Sequence, residues 1–110
     1  MPEIVGGTDY VTFINTFRCA PEHQEKVVQL NVEIVERVAR GFHGFISATV
    51  HRSLDGTRVI NYLQWRTAGD LAEMQRSVQF QQIARGFANL IEFDPHEVKI
   101  SHIAVSGDPA

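Results

Sequence analysis

Cysteine is nearly absent from this chain: Cys19 is the single one among 110 residues. That excludes an internal disulfide and a thiolate metal cage. The five histidines, His23, His43, His51, His96 and His102, form no H-x-H or H-x-x-x-H pair, so no metal site is expected. Long apolar runs are missing, which excludes a bilayer-spanning helix and leaves no membrane partner. The opening M-P-E-I-V-G-G-T-D has neither a basic stretch nor an apolar run. No secretory signal is therefore expected, and the expected location is cytoplasmic. Positive charge is not in excess. Ten Lys and Arg stand against 13 Asp and Glu, a net charge of −3, which argues against a nucleic-acid partner. The G-x-G-x-x-G, P-loop and G-x-S-x-G spacings are absent, so neither a nucleotide cradle nor a serine-hydrolase elbow is supported.

What is present is an ordinary folding composition, 44% hydrophobic and 21% charged. The length fits one domain, residues 1–110, with 1–8 and 106–110 expected to be loose. Tyr10 to Cys19 is rich in aromatic and β-branched residues and reads as a strand. Pro21 and Glu22 suit the first turn of a helix. Val27, Leu30, Ile34, Val35 and Val38 then recur at helical spacing, and Gly41 stands where the helix should stop. Phe45 to His51 reads as a second strand and Thr57 to Trp65 as a third. Between them Asp55-Gly56 signals a hairpin turn.

Thr67 can cap a short helix bearing Leu71 and Met74. A further helical stretch shows Phe80, Ile83, Ala84, Phe87, Leu90 and Ile91 on one face, and Asp94-Pro95 is expected to break it. Pro95 to Val105 reads as the last strand. The order β-α-β-β-α-β is that of the ferredoxin-like α+β fold, an antiparallel sheet with helices on one face. The spacing leaves open which parity of each strand meets the helices. With Phe13 and Asn61 toward the helices, Val11, Ile46, Ala48, Ile60 and Tyr62 are expected on the other face. Burying that face against a second copy makes a homodimer the expected assembly.

Polar residues interrupt three apolar patterns. Asn61 and Trp65 share a parity on the third strand, with Leu63 between them. Asn15 shares the face of Phe13 and Phe17. Asn31 lies within the apolar stripe of the first helix. Each amide taken singly reads as a satisfied structural residue, and Trp65 as a core aromatic. Their convergence reads equally as the wall of a polar-studded cavity. His51 ends the second strand beside the hairpin. Cys19 reads as a small apolar strand residue.

The segment Gly44 to Trp65, G-F-I-S-A-T-V-H-R-S-L-D-G-T-R-V-I-N-Y-L-Q-W, resembles the antibiotic biosynthesis monooxygenase family. The matching features are G-F-x-S-A, the strand-ending His, the D-G-T turn and N-Y-x-Q-W, in that order and spacing. The resemblance implies a dimeric α+β barrel with a pocket between sheet and helices in each protomer. Within the family the chain is similar to small oxygenases of aromatic polyketide pathways. They oxidise an anthrone, phenol or hydroquinone to a quinone with dioxygen and no cofactor. The resemblance implies that Asn61 hydrogen-bonds a substrate carbonyl or phenolic oxygen. It implies that Trp65 lines the pocket and stacks or hydrogen-bonds, and that His51 accepts or relays a proton. The substrate pocket expected on the same grounds takes in Asn15, Asn31, Phe13, Leu63, Leu71, Met74, Arg76 and Phe87.

The subgroup carries a tyrosine where this chain has Leu71, and a helix arginine for which Arg76 or Arg85 could stand. A sister group of the same fold degrades haem through a helix histidine. Residues 66–90 here hold no His, Cys or Tyr. Two rivals share the fold: a protein that binds a polyketide intermediate, or a cyclase or isomerase acting on one, and a dimeric domain without chemistry.

Overall fold

Strand β1, Val11–Cys19, is the spine of the sheet in this computed structural model, which describes residues 10–107. The expected loose segment 1–8 and residues 108–110 lie outside the described residues. β1 is followed by a 3₁₀ turn at Pro21–His23 and helix α1, Gln24–Arg37. Strands β2, Phe45–Arg52, and β3, Arg58–Trp65, form the hairpin. Helices α2, Ala68–Gln75, and α3, Val78–Ala84, precede β4, Ile91–Val98. The sheet is antiparallel throughout, in the order β2-β3-β1-β4. This is the ferredoxin-like α+β fold expected from the element order.

Local chemistry explains the punctuation. Asp55 Oδ1 accepts from Ser53 Oγ at 2.7 Å, from Thr57 N at 3.0 Å and from Thr57 Oγ1 at 2.7 Å, closing the hairpin. Gly56 follows at φ +82°, where a side chain would be strained. Thr67 Oγ1 caps α2 by accepting from Asp70 N at 3.0 Å, and Ser77 Oγ caps α3 through Phe80 N at 3.2 Å. Gln24, buried at the start of α1, donates Nε2 to Ser53 O at 2.9 Å and Arg58 O at 3.0 Å. One side chain thereby ties the helix to the base of the hairpin.

The end of the chain differs from the sequence expectation. The helical stretch does not run to Ile91. It tightens to a 3₁₀ turn at Arg85–Phe87, and Asn89 at φ 65° turns the chain into β4. The break is set at Gly86, not at Asp94-Pro95. A Cβ at Gly86 would stand 2.7 Å from Leu30 Cδ2, so glycine lets this turn lie against α1. Pro95 sits inside β4, opposite Asn15. A proline is tolerated there because β4 is an edge strand. Residues 99–107 form no regular element.

The register settles the parity of the strands. Val11, Phe13, Asn15 and Phe17 on β1 face the helices together with Val59, Asn61, Leu63 and Trp65 on β3. Val11 packs in the Trp65 cluster, and Ala48 stands opposite Leu63. Both therefore leave the outer face on which they were expected, while Ile60 and Tyr62 occupy it. Ile46 marks a bulge between Phe45 and Ser47.

Two apolar clusters form the core. One gathers Val38, Ala39, Leu71 and Met74 around Trp65; the other gathers Val27 and Val59 around Phe17. Val27, Val59 and Trp65 are fully buried. Burying each such aliphatic side chain contributes about 1.5–3 kcal/mol. Among the described residues no helix is long and apolar enough to cross a membrane.

Candidate active site

A cavity of about 260 Å³ opens between the two clusters, with β1, β3 and β4 as its floor and the helices as its roof. An apolar cavity of roughly 150 Å³ already admits one benzene ring. This one has room for a fused, flat aromatic. Ile34 and Val35 of α1 face Leu63 and Phe17 of the sheet across it. Leu71, Met74 and Phe80 close one side, and Phe87, Ile91 and Phe93 the other. Phe93 is 53% exposed and lies 4.9 Å from the Phe17 ring, so it marks the mouth.

Three polar residues project from the floor. Asn15 and Asn61 are partners across β1 and β3, and Trp65 is four residues beyond Asn61. At about 3.3 Å per residue, the Cα atoms of Asn61 and Trp65 are about 13 Å apart. Asn61 Nδ2 donates to Asn31 Oδ1 at 2.7 Å. Asn31 Nδ2 in turn donates to Val27 O, one turn back in α1, at 3.0 Å. Asn15 Oδ1, Asn61 Oδ1 and Trp65 Nε1 are buried without any hydrogen-bond partner. Leaving such a group unpaired costs about 1–3 kcal/mol. A ligand that supplies the missing partners recovers that cost. The Trp65 ring itself is held edge-on by Phe45, at a centroid distance of 5.4 Å and 78°.

Among the described residues the lining contains no Asp, Glu, His, Lys, Arg, Cys or Tyr. The cavity therefore offers hydrogen bonds and shape but no acid or base with its own titration. Among the described residues no three His, Cys, Asp or Glu side chains gather into a metal site. Cys19 packs half-buried beside Phe17, and burial pushes its thiol pKa up, which weakens it as a nucleophile.

The structure gathers Asn15, Asn31, Asn61, Leu63, Trp65, Leu71, Met74 and Phe87 in this one cavity. It leaves three expected residues outside. His51 is exposed, stands opposite Ile60 and lies on the outer face, because the pleat of β2 turns Val50 inward and His51 away. Its Nδ1 is 3.2 Å from Ile60 O. Phe13 faces the helices but packs into the Trp65 cluster behind the cavity. Arg76 ends α2 in solvent, and Arg85 is likewise exposed outside the lining.

Sequence reasoning missed Phe17, Ile34, Val35, Phe80 and Phe93 as lining, and also Ala39, Gln75, Ala84 and Ile91. Phe17 shares the parity of Asn15, and Ile34 and Val35 follow Asn31 by one helical turn. Those signals were available. Phe93 was hidden by the helix expected to reach Ile91.

Residues 10–86 match the family described as antibiotic biosynthesis monooxygenase, and the chain belongs to that family. It is an enzyme. Over 81 residues it is 38% identical to tetracenomycin-F1 monooxygenase of Streptomyces glaucescens, covering 74% of this chain and 72% of that protein. Solved structures agree on the fold. SnoaB, a cofactor-independent oxygenase from Streptomyces nogalater, superposes with a TM-score of 0.72 at 21% identity, over 87% of this chain and 97% of its own. PA3566 from Pseudomonas aeruginosa gives 0.73 at 22% identity, over 88% and 97%.

Proposed function

We propose that this enzyme is a cofactor-independent monooxygenase that converts a fused aromatic polyketide, an anthrone or a phenol, to the quinone with dioxygen. One observation carries the reading: an apolar, ring-sized cavity is lined by three residues with unpaired polar atoms, Asn15, Asn61 and Trp65, and among the described residues by no titratable side chain. The relative named for tetracenomycin F1 supports an aromatic polyketide as substrate.

The substrate itself is the source of electrons. Loss of a proton to solvent gives an enolate or phenolate, and the peroxide anion formed later takes a proton back from solvent. That anion passes one electron to dioxygen, and the radical and superoxide combine to form a C–O bond. The resulting hydroperoxide loses water as the ring C–H breaks, leaving a carbonyl. One oxygen atom enters the quinone and the other leaves as water. The protein holds the ring flat and pre-oriented, and the apolar lining keeps water from the radical pair. Trp65 Nε1 donates to the oxygen on which charge develops, and Asn61 hydrogen-bonds a substrate oxygen.

The assembly proposed is a homodimer. The sheet face away from the helices carries Ile14, Ile60 and Tyr62, only half-buried in one chain, and a second copy would cover them.

A second reading, an intermediate-binding protein or a cyclase or isomerase, draws on Leu71. It lines the cavity where the resembled oxygenases carry a tyrosine. Metal-stripped protein mixed with anthrone and labelled dioxygen separates the two. Saturable oxygen uptake with one labelled atom in the quinone supports the oxygenase. Binding of anthrone with uptake at the spontaneous rate overturns it in favour of the second reading.

A further inference from the structure

Asn31 decides which arm of the Asn61 amide faces the cavity. Val27 O is a backbone carbonyl and can only accept a hydrogen bond. The arm of Asn31 that meets it at 3.0 Å is therefore the nitrogen, Nδ2. The other arm, Oδ1, can only accept in turn. Asn61 must meet it at 2.7 Å with its own Nδ2. What is left without a partner is Asn61 Oδ1, buried in the cavity wall. A carbonyl in α1 thus fixes, through two amides, the polarity of a side chain on β3. Asn31 is 3% exposed and sits inside a helix, where asparagine is a poor former.

We propose that Asn31 is a positioning residue that locks Asn61 as a hydrogen-bond acceptor, so that this end of the cavity selects a ligand hydroxyl over a carbonyl, ether or oxyanion. This rests on the cavity being the substrate site. Asn15, its register partner on the neighbouring strand, also carries an unpaired Oδ1. Trp65 Nε1 can only donate, and it stands at the other end. The substrate class that satisfies both ends is a fused hydroxyaryl ketone. Its hydroxyl lies toward Asn61 and its ketone or enolate oxygen toward Trp65. An oxyanion beside Asn61 Oδ1 would be repelled, so the charge that forms during oxidation belongs at the Trp65 end.

The test uses 2-hydroxyanthraquinone and its methyl ether in mildly acidic buffer, read by quenching of Trp65, the single tryptophan. The parent should bind the hydroxyl compound about tenfold more tightly, as expected for one added hydrogen bond to a buried acceptor. Asn31→Leu frees Asn61 to rotate, and the preference should fall to about twofold or less. Asn31→Asp, with its carboxyl protonated toward Val27 O in the acidic buffer, still accepts from Asn61 Nδ2 and should keep the parent preference. The size of the methyl group cancels in these comparisons. A folded Asn31→Leu with the parent preference overturns the proposal. So does equal binding of both compounds by the parent, which leaves the cavity reading intact. If the parent binds neither compound, the cavity reading itself fails. Should Asn31→Leu not fold, the Nδ2 protons of Asn61 in the labelled parent decide the question. Overhauser contacts to the Asn31 side chain support the lock, and contacts to the bound anthraquinone ring instead overturn it.

Discussion

Asn15 and Asn61 stand directly opposite each other on β1 and β3, and each keeps a buried Oδ1 with no partner. Two adjacent strands so carry a pair of unmet acceptors on the floor of an otherwise apolar cavity. A stable fold does not need such a pair. A ligand that donates to them recovers a cost of about 1–3 kcal/mol per atom.

Removing Asn61 should therefore harm turnover more than folding. Asn61→Ala is expected to lower kcat/KM on a hydroxyanthrone by about tenfold to a hundredfold, the loss of one hydrogen bond in a desolvated site. Asn15→Ala should act in the same direction and less. Steady-state oxygen uptake reads both. Parent kcat/KM in a folded Asn61→Ala variant would sink its assignment to the substrate.

Trp65→Phe separates the ring from its N–H. The ring packing against Phe45 is largely kept, and the unpaired Nε1 is removed. Thermal unfolding should show little loss of stability, because a donor buried at a cost has gone. Turnover should fall at least about tenfold, since no donor remains for the developing oxyanion. A folded variant with parent turnover would mean that the ring alone does the work.

Among the described residues no titratable one lines the cavity, so the pH dependence of kcat/KM should belong to the substrate. Two substrates of different acidity should give profiles displaced by the difference in their own pKa values. His51→Ala, on the exposed outer face, should leave both profiles in place. A limb common to both substrates that vanishes in His51→Ala would return that histidine to the mechanism.

The hairpin should show an acid limit of its own. The Thr57 hydroxyl first, then the Thr57 backbone N–H and the Ser53 hydroxyl, pull the Asp55 carboxyl down to about 2. A carboxyl whose folded pKa lies below its unfolded value stabilises the fold above the unfolded value. Its contribution is full above the ordinary 3.8 and is lost as pH falls through about 2. Asp55→Asn should flatten this part of the stability-against-pH curve. A denaturant midpoint measured across that range, equally steep in parent and variant, would contradict it.

Gln24 ties α1 to the hairpin through two backbone carbonyls. Gln24→Ala leaves both without that donor and should lower stability by about 1–3 kcal/mol. Chemical denaturation measures the change.

The order of elements was legible because each depends on near neighbours. The hairpin rests on Asp55 and Gly56, the start of α2 on Thr67, and α1 on apolar residues at helical spacing. The floor of the site was legible too, since the pleat alone puts Asn61 and Trp65 on one face. His51 was misplaced because a bulge at Ile46 and the β2–β3 register set its direction, and neither is local. The last helix was read too long because its apolar period continues into Leu90 and Ile91. It gives way instead to the 3₁₀ turn at Arg85–Phe87, where Gly86 lies against Leu30, some 56 residues away in sequence.

The sequence by itself determined the α+β order, the family likeness and the set of amides and tryptophan that the cavity uses. Periodicity and turn chemistry act over a few residues, and they suffice for that much. Only the tertiary structure decided which arm of Asn61 faces the ligand. That polarity comes from Val27 O through Asn31, across from a helix to a strand, and such a hydrogen-bond relay exists only once the two are packed together.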